Sequence, residues 1–127
     1  MIEVLLPVRT WSEANLRGHW GKKARRAKKQ RQAARLLVRT ARVALPKFGS
    51  IAITLTRIAP RALDTDNLAS GLKAVRDGVA DALGVDDGSS RTKWRYAQER
   101  GKPGEFAVRV EIRAVPDDGA PPQGRNR

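Results

Sequence analysis

Between Lys22 and Leu45 the chain contains neither glycine nor proline, and Ala, Arg, Lys, Gln and Leu dominate the stretch. Such residues lose little side-chain freedom in a helix, so the composition predicts one long helix, stopped by Pro46 and Gly49. Its apolar positions, Ala33, Leu36, Leu37, Val43 and Ala44, gather in the second half, whereas the first half reads KKARRAKKQR. A run that cationic is no candidate for a buried face. The helix can therefore cover a core only with its C-terminal half, and any fold must leave its basic half in solvent.

The sheet that such a helix would cover is legible from alternation. Ile2, Val4 and Leu6 mark a short strand ended by Pro7, and residues 8–20, with Ser12, Asn15 and Gly18, read as a loop. Over 50–58, Ile51, Ile53 and Leu55 point one way and Ala52, Thr54 and Thr56 the other, with Pro60 as the stop. A second helix is expected from about Asn67 to Leu83, ended by Gly84. Residues 92–99 and 106–113 alternate again, and the GKPG turn at 101–104 predicts that they pair as a hairpin. The order is β-α-β-α-β-β, an α/β (α+β) fold in which two helices cover a small mixed sheet. With 127 residues, 40% of them hydrophobic, one domain over residues 1–115 is expected. The tail from Pro116, PDDGAPPQGRNR, has the composition of a disordered segment.

Composition narrows the chemistry. Without cysteine there are no disulfides, thiolate metal sites or cysteine nucleophile, and a lone histidine, His19, rules out a His-rich metal site. No apolar run is long enough to span a membrane, and MIEVLLPVRT does not read as a signal peptide, so an intracellular, cytoplasmic protein is expected. The charge points to a partner. Twenty-six Lys and Arg against thirteen Asp and Glu give +13, of which residues 1–45 carry +10. An excess of that size is the footprint of a polyphosphate binder, since neutralising phosphates releases condensed counterions. The blander account is a solubility device.

In so basic a chain the acids stand out. Six of the thirteen fall between residues 64 and 87, all of them Asp: Asp64, Asp66, Asp77, Asp81, Asp86 and Asp87. On an ideal helix with Asp66 at zero, Lys73 falls near −20° and Asp77 near +20°. Leu68, Leu72, Val75, Val79 and Leu83 fall between roughly 180° and 260°, so the apolar stripe faces a core and the charged residues face away. Asp64 and Asp66 sit where strand gives way to helix, and Asp86 and Asp87 follow Gly84 in a loop. Three Asp from two segments would suit a hard divalent cation such as Mg2+, which takes oxygen ligands and keeps positions for water and phosphate. A metal so held could activate water for phosphodiester hydrolysis, with Lys73 stabilising charge. The competing account is ordinary: Asp66 as an N-cap, Asp86-Asp87-Gly88 as a turn, and Asp81 as a solvated helix residue.

DTDNL followed by LKAVRDGVADALGVDD resembles the signature of the RusA family, and LPVRTWSEAN, with Ser12 and Asn15, resembles that family's opening. The likeness spans roughly residues 4–113. It implies a homodimeric Holliday junction resolvase of the kind common in phages and prophages, one that requires Mg2+ or a similar ion such as Mn2+ and nicks a four-way DNA junction symmetrically. Carried over by motif, Asp64, Asp66 and Asp87 match the catalytic Asp residues that hold the metal. Lys73 matches the essential Lys and Asp77 a further acidic position. The choice between Asp86 and Asp87 rests on alignment within a loop, and the interval from Asn67 to Lys73 is longer than in the best-known members.

On this reading, phosphates are gripped by Lys22, Lys23, Arg25, Arg26, Lys28 and Lys29 of the first helix and by Lys93 and Arg95 of a strand, without reading bases. A C2 dimer matches the two-fold symmetry of a junction. Trp11, Trp20, Trp94 and Tyr96 could stack on unpaired bases, although Trp94 and Tyr96 share a strand face and are expected to pack. His19 could touch phosphate. Two rival readings are a non-catalytic basic nucleic-acid-binding module and a phage protein-interaction factor. No glycine-rich phosphate loop or nucleophile constellation supports an enzyme of small molecules.

Overall fold

A computed structural model describes residues 2–11, 20–46, 49–86 and 88–115. The elements run β1 (Ile2–Leu6), α1 (Trp20–Thr40), β2 (Ser50–Ala59), α2 (Thr65–Gly71), α3 (Lys73–Leu83), β3 (Thr92–Arg100) and β4 (Ala107–Val115). The fold is α+β, with a four-stranded mixed sheet ordered β1-β4-β2-β3. The expected tail from Pro116 and the loop residues Ser12, Asn15, Gly18 and His19 lie outside the described residues.

The expected hairpin does not form. The GKPG turn is present, with Glu105 N donating to Lys102 O at 2.9 Å, but its strands diverge to either side of β2. β3 pairs with β2 in parallel, Ile53 opposite Trp94, and β4 pairs with β2 antiparallel, Ile53 opposite Ile112. The reason lies in the outward side chains. β3 offers Lys93, Arg95 and Glu99 on one face, which suits an edge, whereas β2 carries the apolar run that needs neighbours on both sides. Ala52, Thr56 and Ile58 are accordingly buried, although their face lies away from the core. Over them Arg109 of β4 reaches Glu99 of β3 through two hydrogen bonds of 2.9 and 3.1 Å.

The core face follows the expected register. Ile51, Ile53 and Leu55 meet Leu6, Val108 and Val110 from the sheet, and Val38, Leu72, Val75 and Val79 from the helices, all at most 1% exposed. Each such side chain contributes about 1.5–3 kcal/mol by leaving water. The first helix contacts the core through Gln30, Ala34 and Val38, and most of its cations, Lys22, Arg25, Lys28 and Lys29 among them, are exposed. It ends at Thr40, short of the expected Leu45. Arg42 adopts φ 51 and donates its N–H to Arg39 O at 3.0 Å, which closes the helix before Pro46.

The second expected helix is two helices, α2 and α3, meeting at Leu72 (φ −96, ψ −2). The bend follows a Ser70-Gly71 pair, a common kink site. A Cβ on Gly71 would stand 2.7 Å from Trp11 O, so the exit segment of β1 lies directly on the helix there. α3 ends at Gly84, whose φ of 68 is the left-handed conformation that closes helices.

Candidate metal and nucleic-acid site

Asp64 is the N-cap of α2, a role expected of Asp66. Its Oδ1 accepts from Asn67 N at 2.8 Å and its Oδ2 from Asn67 Nδ2 at 3.1 Å. The helix thus begins at Thr65, and Asp66 falls in its first turn, where the helix dipole favours a negative charge. Both side chains are exposed. The loop before them is pinned to β3: Leu63 N donates to Gln98 Oε1 and Gln98 Nε2 donates to Leu63 O, each at 2.7 Å. The two carboxylates therefore sit on a fixed platform at the carboxyl end of β2 and β3.

The other expected acids lie elsewhere. Asp86 is at the far end of α3, its Oδ1 accepting from Gly88 N at 3.0 Å, and the turn leads to the start of β3 through Thr92 N donating to Ser89 O. A parallel β2-α-β3 crossover must return from one end of the sheet to the other. The six steps of β3 from Thr92 to Gln98, at about 3.3 Å each, set the two acidic groups on the order of 20 Å apart. Within one chain the fold does not bring Asp86 to Asp64 and Asp66. Asp87 lies outside the described residues. Among the described residues no group of three or more His, Asp or Glu side chains is gathered for a metal.

Asp64 and Asp66 remain at one end of the sheet, as the N-cap and a first-turn residue of α2. Each Asp64 oxygen retains a lone pair after accepting one hydrogen bond. Mg2+ is commonly bound through one or two carboxylates, with water and substrate phosphate oxygens completing its shell, and that sparse donor set fits Asp64 and Asp66. Lys73, at the start of α3, is exposed and pairs with Asp77, Nζ to Oδ2 at 3.1 Å. The pair lines a cleft of about 340 Å³ that it shares with Lys23 of α1. Asp81, expected to be merely solvated, holds Arg31 of α1 through two hydrogen bonds of 2.7 and 3.0 Å. The guanidinium keeps its carboxyl below the ordinary value.

The two expected sets of phosphate-gripping cations are on different faces. Lys22, Arg25, Lys28 and Lys29 are exposed and Lys23 and Arg26 half-buried on α1, in the helical layer. Lys93 and Arg95 are exposed on the opposite, helix-free face of the sheet, since Trp94 and Tyr96 take the inward register. Those two aromatics pack against the core. Tyr96 OH accepts from Arg76 Nη1 at 2.6 Å, and the Arg76 guanidinium lies 4.7 Å from the Trp94 ring centre. Trp20 is 75% exposed at the head of α1.

A third basic group escaped sequence reasoning. Arg57 takes an inward register position at the end of β2 and is only 7% exposed. Its Nε donates to Thr10 Oγ1 at 2.9 Å and its Nη1 to Arg61 O at 2.6 Å. Burial, with Arg9's charge in second place, holds its pKa below the ordinary guanidinium value. The signal was available: a cation continues the inward series Ile51, Ile53, Leu55, where an apolar residue would be expected.

No protein-family model matches the chain. It is 37% identical over 78 residues to an uncharacterised protein of Xylella fastidiosa (strain Temecula1), a match covering 58% of this chain and 51% of that protein. The chain thus spans about half the length of the curated relative it matches. No described helix is long and apolar enough to cross a membrane.

Proposed function

We propose that the chain is a metal-dependent DNA endonuclease of the RusA type, which nicks branched DNA and takes four-way junctions as its substrate. The observation that carries this reading is the exposed Asp64–Asp66 pair on its pinned platform, within the DTDNL motif of a chain of net charge +13. A bound Mg2+ or Mn2+ would supply an activated water and neutralise charge at the phosphodiester. Asp64 and Asp66 are the residues that would hold it. Asn67 fixes the orientation of the Asp64 carboxylate through two hydrogen bonds, and the Leu63–Gln98 pair fixes the loop. Lys73 must leave Asp77 to reach a substrate oxygen, which their exposed ion pair of modest strength permits. The outer cations of α1 draw the DNA backbone without reading sequence.

A homodimer belongs to the same proposal, as does the cytoplasm or nucleoid of a bacterial host cell as the place of action. In such a dimer a second copy could present its Asp86 and Asp87 to the Asp64 and Asp66 of the first, which lie on the order of 20 Å from Asp86 of their own chain.

The deciding experiment is a nicking assay. Wild type and Asp66→Asn are incubated with a synthetic four-way junction and a matched linear duplex, with Mg2+ and with EDTA. Paired, Mg2+-dependent nicks in the junction that vanish in the variant, while binding survives, are expected. Tight binding without cutting under Mg2+ or Mn2+ would favour the second reading, a basic nucleic-acid-binding module. The observation on that side is that Asp64 already serves as a helix cap.

A further inference from the structure

The exit segment of β1 is tied down along its length. Gln30 Nε2 of α1 donates to Arg9 O at 2.7 Å, Arg57 Nε donates to Thr10 Oγ1, and Trp11 O abuts Gly71. The Arg9 guanidinium lies 3.9 Å from the Trp11 ring centre and 4.1 Å from that of Phe106, so two aromatic faces hold it in place. Two adjoining clefts of about 390 and 420 Å³ open here, sharing Arg57, Ala59, Pro60 and Arg61 in their walls. Leu63, which lines the second cleft, is the residue before Asp64.

The charge of this region is unbalanced. Among the described residues, none of Arg9, Arg57 and Arg61 pairs with a carboxylate. The one acid in the walls, Glu99, is occupied through both oxygens by Arg109. Arg57 satisfies Nε and Nη1 with neutral acceptors, and its Nη2 makes no hydrogen bond among the described residues. A guanidinium taken out of water without a counter-anion is costly. Its remaining Nη2 donor, beside a second guanidinium held by aromatic stacking, is suited to a phosphate oxygen.

We infer that the Arg9–Arg57–Arg61 cleft is a binding subsite for an internucleotide phosphate of a DNA strand, placing that strand's backbone beside Asp64. The inference rests on the proposed function only in taking DNA as the ligand. It requires no cleavage. The strand would be anchored at the carboxyl end of β2, and the cations of α1 would hold a more distant part of the duplex or arm.

The test measures binding in EDTA, where cutting plays no part. The affinity of the full chain for a fluorescently labelled four-way junction is followed by anisotropy over a range of salt concentrations. Wild type is compared with Arg9→Ala and Arg61→Ala, both at exposed positions, and the thermal unfolding midpoint of each is recorded. Losing one phosphate contact should flatten the slope of log affinity against log salt by about 0.9. The expected result is that flattening in each variant with an unchanged midpoint. If Arg9→Ala lowers the midpoint, Arg9→Lys must restore the slope. Slopes and affinities equal to wild type overturn the inference. So does stabilisation of wild type, but of neither variant, by inorganic phosphate while the DNA slope stays the same, which would mark a site for free anions. A wild type that binds DNA in this way yet never nicks it refutes the nuclease reading and leaves the cleft standing.

Discussion

Asp64 serves local structure and, on the proposed reading, chemistry, and substitutions can separate the two. Asp64→Asn keeps a side-chain oxygen for the Asn67 N–H and removes the charge, so it should leave stability nearly unchanged and abolish Mg2+-dependent nicking. Asp64→Ala loses the cap as well, at about 0.5–2 kcal/mol, read as a lower urea midpoint. Equal nicking by Asp64→Asn and wild type would remove the residue from the metal site. Asp81 allows a different experiment. Its folded pKa is depressed by the Arg31 hydrogen bonds, so the stability it contributes is present above the unfolded value of about 3.9 and is lost as pH falls through the folded value. Between about pH 5 and pH 3 the urea midpoint of wild type should therefore fall more steeply than that of Asp81→Asn. Parallel curves would mean that the pair contributes nothing.

The contact between α1 and α3 is the least forgiving among the elements. A Cβ on Gly78 would stand 2.3 Å from Arg31 O and 2.8 Å from the Ala34 Cβ, and neither a backbone carbonyl nor a buried methyl can swing aside. Gly78→Ala improves helix propensity yet must push the helices apart, and a loss of about 1–3 kcal/mol in urea unfolding is expected. A gain in stability would show that the crossing is slack. The basic half of α1 carries a second tension. No acid lies in its first turn, while Lys22 and Lys23 face the positive end of its own dipole. A phosphate backbone laid along it would relieve that repulsion.

At the scale of the whole molecule, the crossover between β2 and β3 sets the two acidic groups at opposite ends of the sheet. If a site is shared between two copies, it can be rebuilt from two broken chains. Asp66→Asn and the double variant Asp86→Asn/Asp87→Asn should each be inactive alone. A refolded mixture should recover nicking, because a mixed dimer keeps one site with every carboxylate intact. The product should be a junction nicked in one strand. No recovery, with mixed dimers verified by mass, would mean that each chain works by itself.

The alternation of Ile51, Ile53 and Leu55, the stripe from Leu68 to Val79 and the basic head of α1 were readable directly, because each is a local pattern whose period dictates which side meets the core. By the same logic DTDNL marked the passage from strand to helix, although which Asp caps it depended on where the first helical hydrogen bond closes. The tertiary structure alone decided the neighbours of β2. Turn chemistry at 101–104 favours a hairpin, but a strand with apolar groups on both faces gains more by taking the middle of the sheet, and GKPG became a link across its end. The distance from Asp64 to Asp86 was likewise invisible in a spacing of residues, since it is set by the direction in which the helices return. The environment of Arg57 followed from the same cause. Strand register carried a cation inward, and only the segments packed around it determined that it would face a cleft whose one acid among the described residues, Glu99, is already held by Arg109.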